Sequence, residues 1–318
     1  MAKTSTKRAA AAEVVAAVEV SNGGRSIHSR AMLVALRISS WTAQKFDKRI
    51  SGEVADKYAV ESDAGRYNKH LMPKWATAYH TLMGLLGEVR TKGYLMTLAW
   101  DDEGWRVLPV ANYFAFTAWF RDAKVRYEAA LAEFLAGYVD LVGEITAKRS
   151  KMVEGGDYPP VSEVARRFGL SVDFKPIPSG GDFRVALADD EIRSIAASTE
   201  QRVKAAWEGA KIDAVQRLYK AAAHMHERLA NPNGIFRDTL VEGTRELCEV
   251  MARLNPDGDP VIDGFREQLE ALTIHDPATL REDTFTRESV AQQAADIMSS
   301  MAGIYGADVN SGGAKGGR

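Results

Sequence analysis

Cysteine is almost absent from this chain, since Cys248 is its single cysteine among 318 residues. One cysteine excludes a disulfide within the chain, and it excludes a zinc site built from several cysteines. The surroundings of Cys248, Glu-Leu-Cys-Glu-Val, are typical of a helix with a small buried thiol. The sequence therefore predicts no disulfide framework, no metal site and no cofactor.

An excess of charge is also missing, because 41 basic and 43 acidic residues leave a formal net charge of −2. No global basic field recruits nucleic acid or an anionic membrane, so any such binding must come from a local patch. Nor does any uninterrupted apolar run approach the roughly 18 residues that cross a bilayer. We therefore expect a soluble, cytoplasmic protein that does not contact the membrane.

Recognisable catalytic motifs are lacking as well. The glycine pairs in "VEGGD" and "PSGGD" have neither the spacing nor the Lys-Ser/Thr of a phosphate-binding loop. His224 and His226 in "HMHE" project about 200° apart on a helix, whereas a zinc pair needs a spacing of four. The sequence thus predicts a protein that is not an enzyme and has no catalytic, cofactor-binding or metal-binding residues. An active site of unrecognised type is the open alternative.

Two long amphipathic helices are what the sequence does contain, over about residues 111–152 and 189–230. Each of about 40 residues would span about 60 Å and could not bury its apolar stripe alone. The first stripe has the steps of a coiled coil, and the second has an eleven-residue period, so we expect the two to pack as an antiparallel hairpin. The stripes are Phe120, Tyr127, Leu131, Phe134, Tyr138, Leu141 and Ile145, and Val203, Trp207, Ala210, Ala214, Leu218, Ala221, Met225 and Leu229.

The predicted fold class is mainly α, a long antiparallel helical hairpin with two small β-hairpins and a C-terminal helical cluster. The β-hairpins are expected in "YLMTLAWDDEGWRVLPV" and in "LSVDFKPIPSGGDFRVAL", where apolar runs flank turn residues. A further amphipathic helix is predicted from Ser40 onward, and its buried face consists of Ala43, Phe46, Ile50, Val54 and Tyr58. We expect a flexible, basic and alanine-rich tail over 1–28, one elongated domain over 29–305, and a disordered glycine-rich tail over 306–318.

The stretch "VSEVARRFGLS", residues 161–171, resembles the first half of a helix-turn-helix DNA-binding motif. Such a motif needs a second helix directly after the glycine turn. Pro176 and Pro178 exclude a helix interior there, and Val172 and Phe174 alternate with polar residues. We therefore interpret "SEVARRFG" as a short connecting helix and not as a DNA-reading element.

Residues 41–75 interleave basic and aromatic side chains, a pattern that can hold phosphates while stacking bases. The opposing interpretation is an ordinary surface helix with aromatics inward and lysines outward. Asp47, Glu53, Asp56 and Asp63 also dilute the positive charge. The candidate contacts for nucleic acid or a partner are Trp41, Lys45, Lys48, Arg66, Tyr67 and Lys69.

The segments "LRISSWTAQKFDKRIS" and "DAGRYNKHLMPK" resemble a family of phage and prophage proteins known only as a domain of unknown function. The resemblance continues through "LPVANYF", "GDFRVAL" and "IFRDTLVE", and it covers most of residues 33–300. The family has no assigned catalytic residues, so none is carried over. Its members are often encoded beside a MoxR-type AAA+ ATPase and a von Willebrand A-type protein, which implies a phage or mobile-element protein of a bacterial host that is a partner in an ATP-driven remodelling assembly.

Two functions follow as hypotheses. The first is a non-enzymatic adaptor or assembly protein of a phage or mobile element, with a MoxR-type AAA+ ATPase as partner and homo-oligomer formation left open. The second is a single-stranded nucleic-acid-binding protein in phage DNA metabolism, motivated by residues 41–75 and the basic N-terminal tail. The helical surface supports the first hypothesis, and the local basic patch supports the second.

Overall fold

The computed structural model describes residues 26–61, 63–101, 103–149, 152–182, 189–231 and 234–306. Nearly all of the tails predicted over 1–28 and 306–318 lies outside these residues. The described chain is mainly helical with small antiparallel sheets, so the coarse fold class is confirmed. Within it, no helix combines the length and the apolar character that a membrane span requires.

Short strands lie among the helices up to residue 175, and only helices of very different length follow in the described part of the chain. Aspartates begin several of the helices, and at Asp259–Pro260 and Asp276–Pro277 the aspartate caps the first turn while proline occupies its first position. In chain order the elements are α1 (Ile27–Arg30), β1 (Ala31–Ser39), β2 (Gln44–Phe46), α2 (Lys48–Tyr58), β3 (Asn68–His70), α3 (Thr77–Leu95), β4 (Leu98–Ala99), β5 (Arg106–Pro109), α4 (Val110–Lys148), α5 (Val161–Arg167), β6 (Gly169–Lys175), α6 (Asp189–Leu229), α7 (Thr239–Met251), α8 (Pro260–Leu272), α9 (Pro277–Glu282) and α10 (Thr284–Tyr305).

The described residues form two compact units, where the sequence had suggested one domain over 29–305. Unit 1 takes its residues from Met1–Ala35, Gly93–Phe116 and Asp173–Arg318, and unit 2 from Leu36–Lys92 and Thr117–Val172. The boundaries fall within β1, α3, α4 and β6, so continuous elements contribute to both units.

Helix α6 is the centre of the core of unit 1. Its buried residues follow the predicted stripe, with Ala222 fully buried in place of Ala221. It packs mainly along α10 and also against α7 and α8. Small side chains such as Ala214 and Ala294, both almost fully buried, leave little bulk between packed helices. The stripe therefore buries itself against the C-terminal helices.

The small sheet has the strand order β4-β5-β1-β6. Strands β4 and β5 pair antiparallel with Leu98 opposite Val107, in agreement with the β-hairpin predicted over 94–110. Strand β1 pairs antiparallel with β5, with Leu33 opposite Val107. Leu33, Leu98 and Val107 all belong to the core of unit 1, so one face of these strands closes that core.

Unit 2 has its own core, in which α4 packs with residues of α3. Tyr127, Phe134, Tyr138 and Ile145 of the predicted stripe are buried, and the rings of Phe134 and Tyr79 have centroids 5.7 Å apart. Phe120, Leu131 and Leu141 of the same stripe are partly buried against this core. Aromatic packing of this kind contributes beyond the apolar area that it buries.

The prediction that the two long helices bury their stripes against each other is not confirmed. The helices themselves are found close to the predicted bounds, at Val110–Lys148 and Asp189–Leu229. However, the stripe of α6 lies in the core of unit 1, and the stripe of α4 lies in the separate core of unit 2. Other elements cover each stripe. The periodicity of the apolar residues determines which face of a helix is buried, but not which element covers that face.

Two other local predictions are corrected. No helix begins at Ser40, because residues 44–46 form β2 and α2 begins only at Lys48, where the Asp47 carboxylate accepts a hydrogen bond from Ile50 N. The second predicted β-hairpin is not confirmed. Its first run forms β6, which lies beside β1, and residues 183–188 of its second run lie outside the described residues.

Helix α5 is directly followed by a strand, as the interpretation of "VSEVARRFGLS" required. It spans Val161–Arg167, and β6 begins at Gly169, where a recognition helix would have to start. Pro160, and not Ser162, precedes its first turn. A Cβ atom at Gly169 would lie 2.7 Å from Ser39 Oγ, so a larger residue there would require the Ser39 side chain to shift.

Candidate functional site

The candidate contact residues belong to unit 2, around an antiparallel ribbon of β2 and β3. Gln44 pairs with His70, Lys45 with Lys69, and Phe46 with Asn68. Side chains on a strand alternate between its two faces. Lys45 and Lys69 therefore share one face of the ribbon, while Gln44, Phe46, Asn68 and His70 share the other, which we call the ribbon face.

Trp41 is buried and is not available for stacking on a ligand. Only 4% of it is exposed, and its ring packs edge-on against Tyr79 and Tyr138. The Tyr79 hydroxyl donates a 2.9 Å hydrogen bond to the Trp41 carbonyl, which fixes the chain just before β2. The inward-facing alternative for the aromatics is thus correct at this position.

Lys45 and Lys69 are both engaged by Asp157, which lies in a short 3₁₀ turn at Gly155–Asp157. One Asp157 oxygen lies 2.9 Å from Lys45 Nζ and the other lies 2.7 Å from Lys69 Nζ. Lys69 also contacts Asp47 at 3.2 Å, and its side chain is only 11% exposed. These ion pairs hold the ribbon to the rest of unit 2, and they largely neutralise the charges of the two lysines.

The pKa values in this cluster follow from the ion pairs. Burial alone would raise the pKa of Asp157, but hydrogen bonds from Lys69, Glu154 N and Lys45 outweigh burial and bring it to about 2. Burial would lower the pKa of Lys69, yet its bonds to Asp157 and Asp47 raise that pKa above the usual value. The cluster therefore stays charged across the neutral range.

The ribbon face is the open side of this structure. Phe46 is 41% exposed, and Gln44, Asn68 and His70 are exposed as well. The Arg66 guanidinium lies over the Phe46 ring, 4.6 Å from its centroid, in a cation–π contact. Of the remaining predicted contacts, Lys48 and Tyr67 are also exposed.

Helix α2 adds an apolar row that points outward. Ser51 and Ala55 are its buried residues, whereas Val54 and Tyr58, one turn apart, are 46% and 67% exposed. The Lys57 ammonium lies 5.8 Å from the centre of the Tyr58 ring. Phe46, Val54 and Tyr58 were predicted as part of one buried stripe, and the structure instead leaves them accessible.

A second accessible surface lies in unit 1 and was not predicted. Tyr113 and Phe114 at the start of α4 meet Phe174 at the end of β6. The centroid of the Tyr113 ring lies 5.4 Å from that of Phe114 and 5.9 Å from that of Phe174. Phe114 is 79% exposed and Phe174 is 41% exposed, while Phe116 anchors Phe174 to the interior. We call Tyr113, Phe114 and Phe174 the aromatic cluster.

The sequence contained a weak signal for this cluster. Phe114 falls off the apolar stripe of α4, because the buried positions step from Phe116 through Ala123 to Tyr127. A large apolar side chain outside a helical stripe is expected to face solvent. Its neighbour Phe174 could not have been identified, since it follows sixty residues later and meets Tyr113 only through the tertiary fold.

Several polar groups in the interior of unit 1 hold the fold together. Asp257 accepts hydrogen bonds from Trp207 Nε1 at 3.0 Å and pairs with Lys211 at 2.7 Å and Arg30 at 2.8 Å. The cavity beside these residues, lined also by Leu98, has a volume of about 10 Å³. That is room for a single water molecule at most.

Two arginines meet at the C-terminal end of α3. Arg217 donates to the carbonyls of Leu95 and Thr97 and pairs with Asp213, and Arg106 donates to the Thr97 hydroxyl and carbonyl. Burial lowers the pKa of Arg106 to about 10, and the nearby Arg217 contributes. Cations at a helix C-terminus satisfy its last carbonyls, so this pair has a structural role.

One histidine of the "HMHE" stretch is engaged in the fold, and the single cysteine is buried. His226 Nδ1 lies 2.9 Å from the Ala291 carbonyl. Cys248 is fully buried, and burial raises the pKa of its thiol to about 12, in agreement with the predicted small buried thiol. Among the described residues, no three His, Cys, Asp or Glu side chains come together as metal ligands.

No family model, no curated protein and no solved structure matches this chain.

Proposed function

We propose that this protein is a non-enzymatic adaptor or assembly protein that binds another protein through the aromatic cluster of unit 1. The observation that carries the proposal is the exposure of Phe114, of which 79% is accessible beside the half-exposed Phe174. Burying a phenyl ring in an interface contributes about 1.5–3 kcal/mol. Exposed aromatics of this kind are the residues on which interfaces depend most.

The geometry of the cluster favours a binding role. Tyr113 and Phe114 are on a helix and Phe174 is on a strand, so the rings are held by regular structure. Phe116, 1% exposed, packs edge-on against Phe174 at 6.4 Å and fixes that ring from below. A partner would therefore meet rings that lose little conformational freedom on binding.

The partner we propose is a MoxR-type AAA+ ATPase, which the resemblance to the phage and prophage family suggests. The adaptor would work in the cytoplasm of a bacterial host during a phage or mobile-element cycle. A second copy of the chain is the other protein that could cover the cluster, and sedimentation of the pure protein distinguishes the two.

The test is co-purification from the native host. The tagged full chain should bring down the ATPase, and Phe114→Ala should weaken their association about 10- to 150-fold because the ring no longer fills the interface. Phe285→Ala is the matched control, since Phe285 is also in unit 1 and is 81% exposed.

The control separates a local effect from a general loss of exposed apolar surface. Association that survives Phe114→Ala, or is lost equally in Phe285→Ala, contradicts the assignment to the aromatic cluster. A wild-type chain that stays monomeric and brings down no protein contradicts the adaptor function itself.

A further inference from the structure

The ribbon face of unit 2 is held rigidly from behind. Asp157 ties Lys45 and Lys69 on the opposite face, at 2.9 and 2.7 Å. The Tyr158 hydroxyl donates a 2.9 Å hydrogen bond to the carbonyl of Leu71, the residue after β3. Together with the bond from Tyr79 to the Trp41 carbonyl, these contacts fix both strands. The ribbon face is thus a preorganised surface and not a mobile loop.

The end of α4 lies next to strand β3 of the ribbon. Arg149 Nη1 lies 3.4 Å from the His70 carbonyl, so the guanidinium of Arg149 reaches β3. The neighbouring Lys148 places its ammonium 4.7 Å from the centre of the Trp75 ring, which is 39% exposed. Phe46 on the ribbon face and Trp75 beside the end of α4 are thus two accessible rings, and each has a cation stacked on it.

Near this surface lie four cations, three of which form no ion pair within the described residues. Lys48, Arg66, Lys148 and Arg149 lie on or beside it, and among the described residues only Lys148 forms an ion pair, with Glu144. Both side chains of that pair are exposed. An exposed ion pair contributes little to stability, so it competes only weakly with a phosphate for the lysine. Lys45 and Lys69 do not add to the excess, because Asp47 and Asp157 neutralise them.

We infer that the ribbon face, with Arg66, Trp75, Lys148 and Arg149, binds single-stranded nucleic acid. Rings that stack on bases beside cations that contact phosphates are the combination by which proteins hold unpaired strands. The charge complementarity favours this ligand, since a strand supplies a phosphate at every nucleotide. This site differs from the aromatic cluster of unit 1, so its test is independent of the adaptor function.

The site revises the residues that the sequence suggested. Arg66 remains in the proposed site, and Lys48 lies at the margin of that site. Trp41 is excluded because it is buried, and Lys45 and Lys69 are excluded because carboxylates hold them. Phe46 and Trp75 replace Trp41 as the stacking surfaces. Tyr67 is 37% exposed and lies next to Arg66 in the chain.

The experiment measures the fluorescence anisotropy of labelled single-stranded oligothymidine with the full chain, over a series of salt concentrations. We expect binding that weakens as salt rises. Phe46→Ala should weaken binding about 5-fold or more, since stacking contributes at least about the equivalent of that factor per base. Phe46→Tyr, which keeps a ring, should retain binding.

Charge reversal gives the second readout. Arg66→Glu should weaken binding and make the slope of log K against log salt shallower by about 0.7 or more, the contribution of one phosphate contact on a single strand. Arg202→Glu is the matched control. Arg202 is exposed in the middle of α6 and has no ion pair among the described residues, so this variant has the same net charge and should bind as wild type.

Three outcomes would overturn the inference. The first is an anisotropy that stays flat at low salt. The second is binding that falls equally in Arg66→Glu and Arg202→Glu, which indicates net charge and not this surface. The third is equal affinity for duplex DNA. Capture of an acidic protein by wild type but not by Phe46→Ala, without oligonucleotide binding, would assign the surface to a protein partner instead. Circular dichroism of each variant verifies that the fold is intact.

Discussion

Single side chains in this protein repeatedly complete the ends of helices. Arg287 is 5% exposed and donates to the carbonyls of Leu229, Asn231 and Gly234, and also to that of Arg228, where α6 ends. The last carbonyls of a helix have no partner within it, and burying them without one is costly. One guanidinium therefore terminates a helix of 41 residues.

Replacing Arg287 by methionine should destabilise unit 1 by at least about 3 kcal/mol, because several buried carbonyls lose their donor. The measurement is urea unfolding followed by circular dichroism. Arg281→Met serves for comparison, since Arg281 is 42% exposed and pairs with Asp238 at the surface. It should cost less than about 1 kcal/mol. Equal losses in the two variants would show that capping of α6 is not what Arg287 contributes.

Asp157 makes the stability of unit 2 sensitive to acid. Its folded pKa of about 2 lies below the usual 3.8, so the ionised form stabilises the folded state. The contribution is complete above pH 3.8 and is lost as the pH falls toward 2. Lys69 has a raised pKa, so its contribution is present below pH 10.5 and is lost in more alkaline solution.

We predict that Asp157→Asn lowers the thermal midpoint at pH 6 and flattens its fall between pH 4 and pH 2. Asparagine carries no charge, so it neither pairs with Lys45 and Lys69 at pH 6 nor becomes protonated as the pH falls. Differential scanning calorimetry across this range provides the comparison. Parallel wild-type and variant curves would mean that Asp157 is not the group whose protonation weakens the ribbon.

At the scale of elements, the sequence predicted what depends on local periodicity. The steps of Tyr127, Phe134 and Tyr138 identify the buried face of α4 correctly, and the proline pair after Gly169 correctly excluded a recognition helix. The start of α2 was missed because Phe46 and Val54 fit a helical stripe although Phe46 lies on a strand. The pairing of β2 with β3 joins residues more than twenty positions apart, and no local pattern encodes it.

The turn at Ser179–Asp182 gives an element-scale prediction. A Cβ atom at Gly180 would lie 2.9 Å from Ala196 Cβ and 3.1 Å from its Cα on α6, so Gly180→Ala forces the backbone apart. We expect a loss of about 1–3 kcal/mol in urea unfolding. At Gly181 the nearest atom would be Ser179 Oγ at 3.8 Å, and Gly181→Ala should be nearly neutral. A neutral Gly180→Ala would mean that the turn can move away from α6.

At the scale of the molecule, the predicted pairing of the two long stripes is not confirmed, and the reason is physical. Two stripes of similar length suggested a single rod, but hydrophobic burial is non-directional and any matching surface satisfies it. α10 and α3 provided those surfaces, with the alanines of α10 and the leucines of α3. Exposed groups such as Phe114 and Phe46 were missed as sites for the same reason, since apolar residues are assigned to the core by default.

The division of the chain also determines the order in which the two units are completed during translation. All residues of unit 2 have left the ribosome once Val172 has emerged, whereas unit 1 still awaits α6 through α10. At translation rates of 5–20 residues per second, the remaining stretch of about 130 residues takes roughly 7–26 s. Throughout this interval Leu33, Leu98 and Val107 lack the helices that will cover them, so the nascent chain is most in need of a chaperone late in its translation.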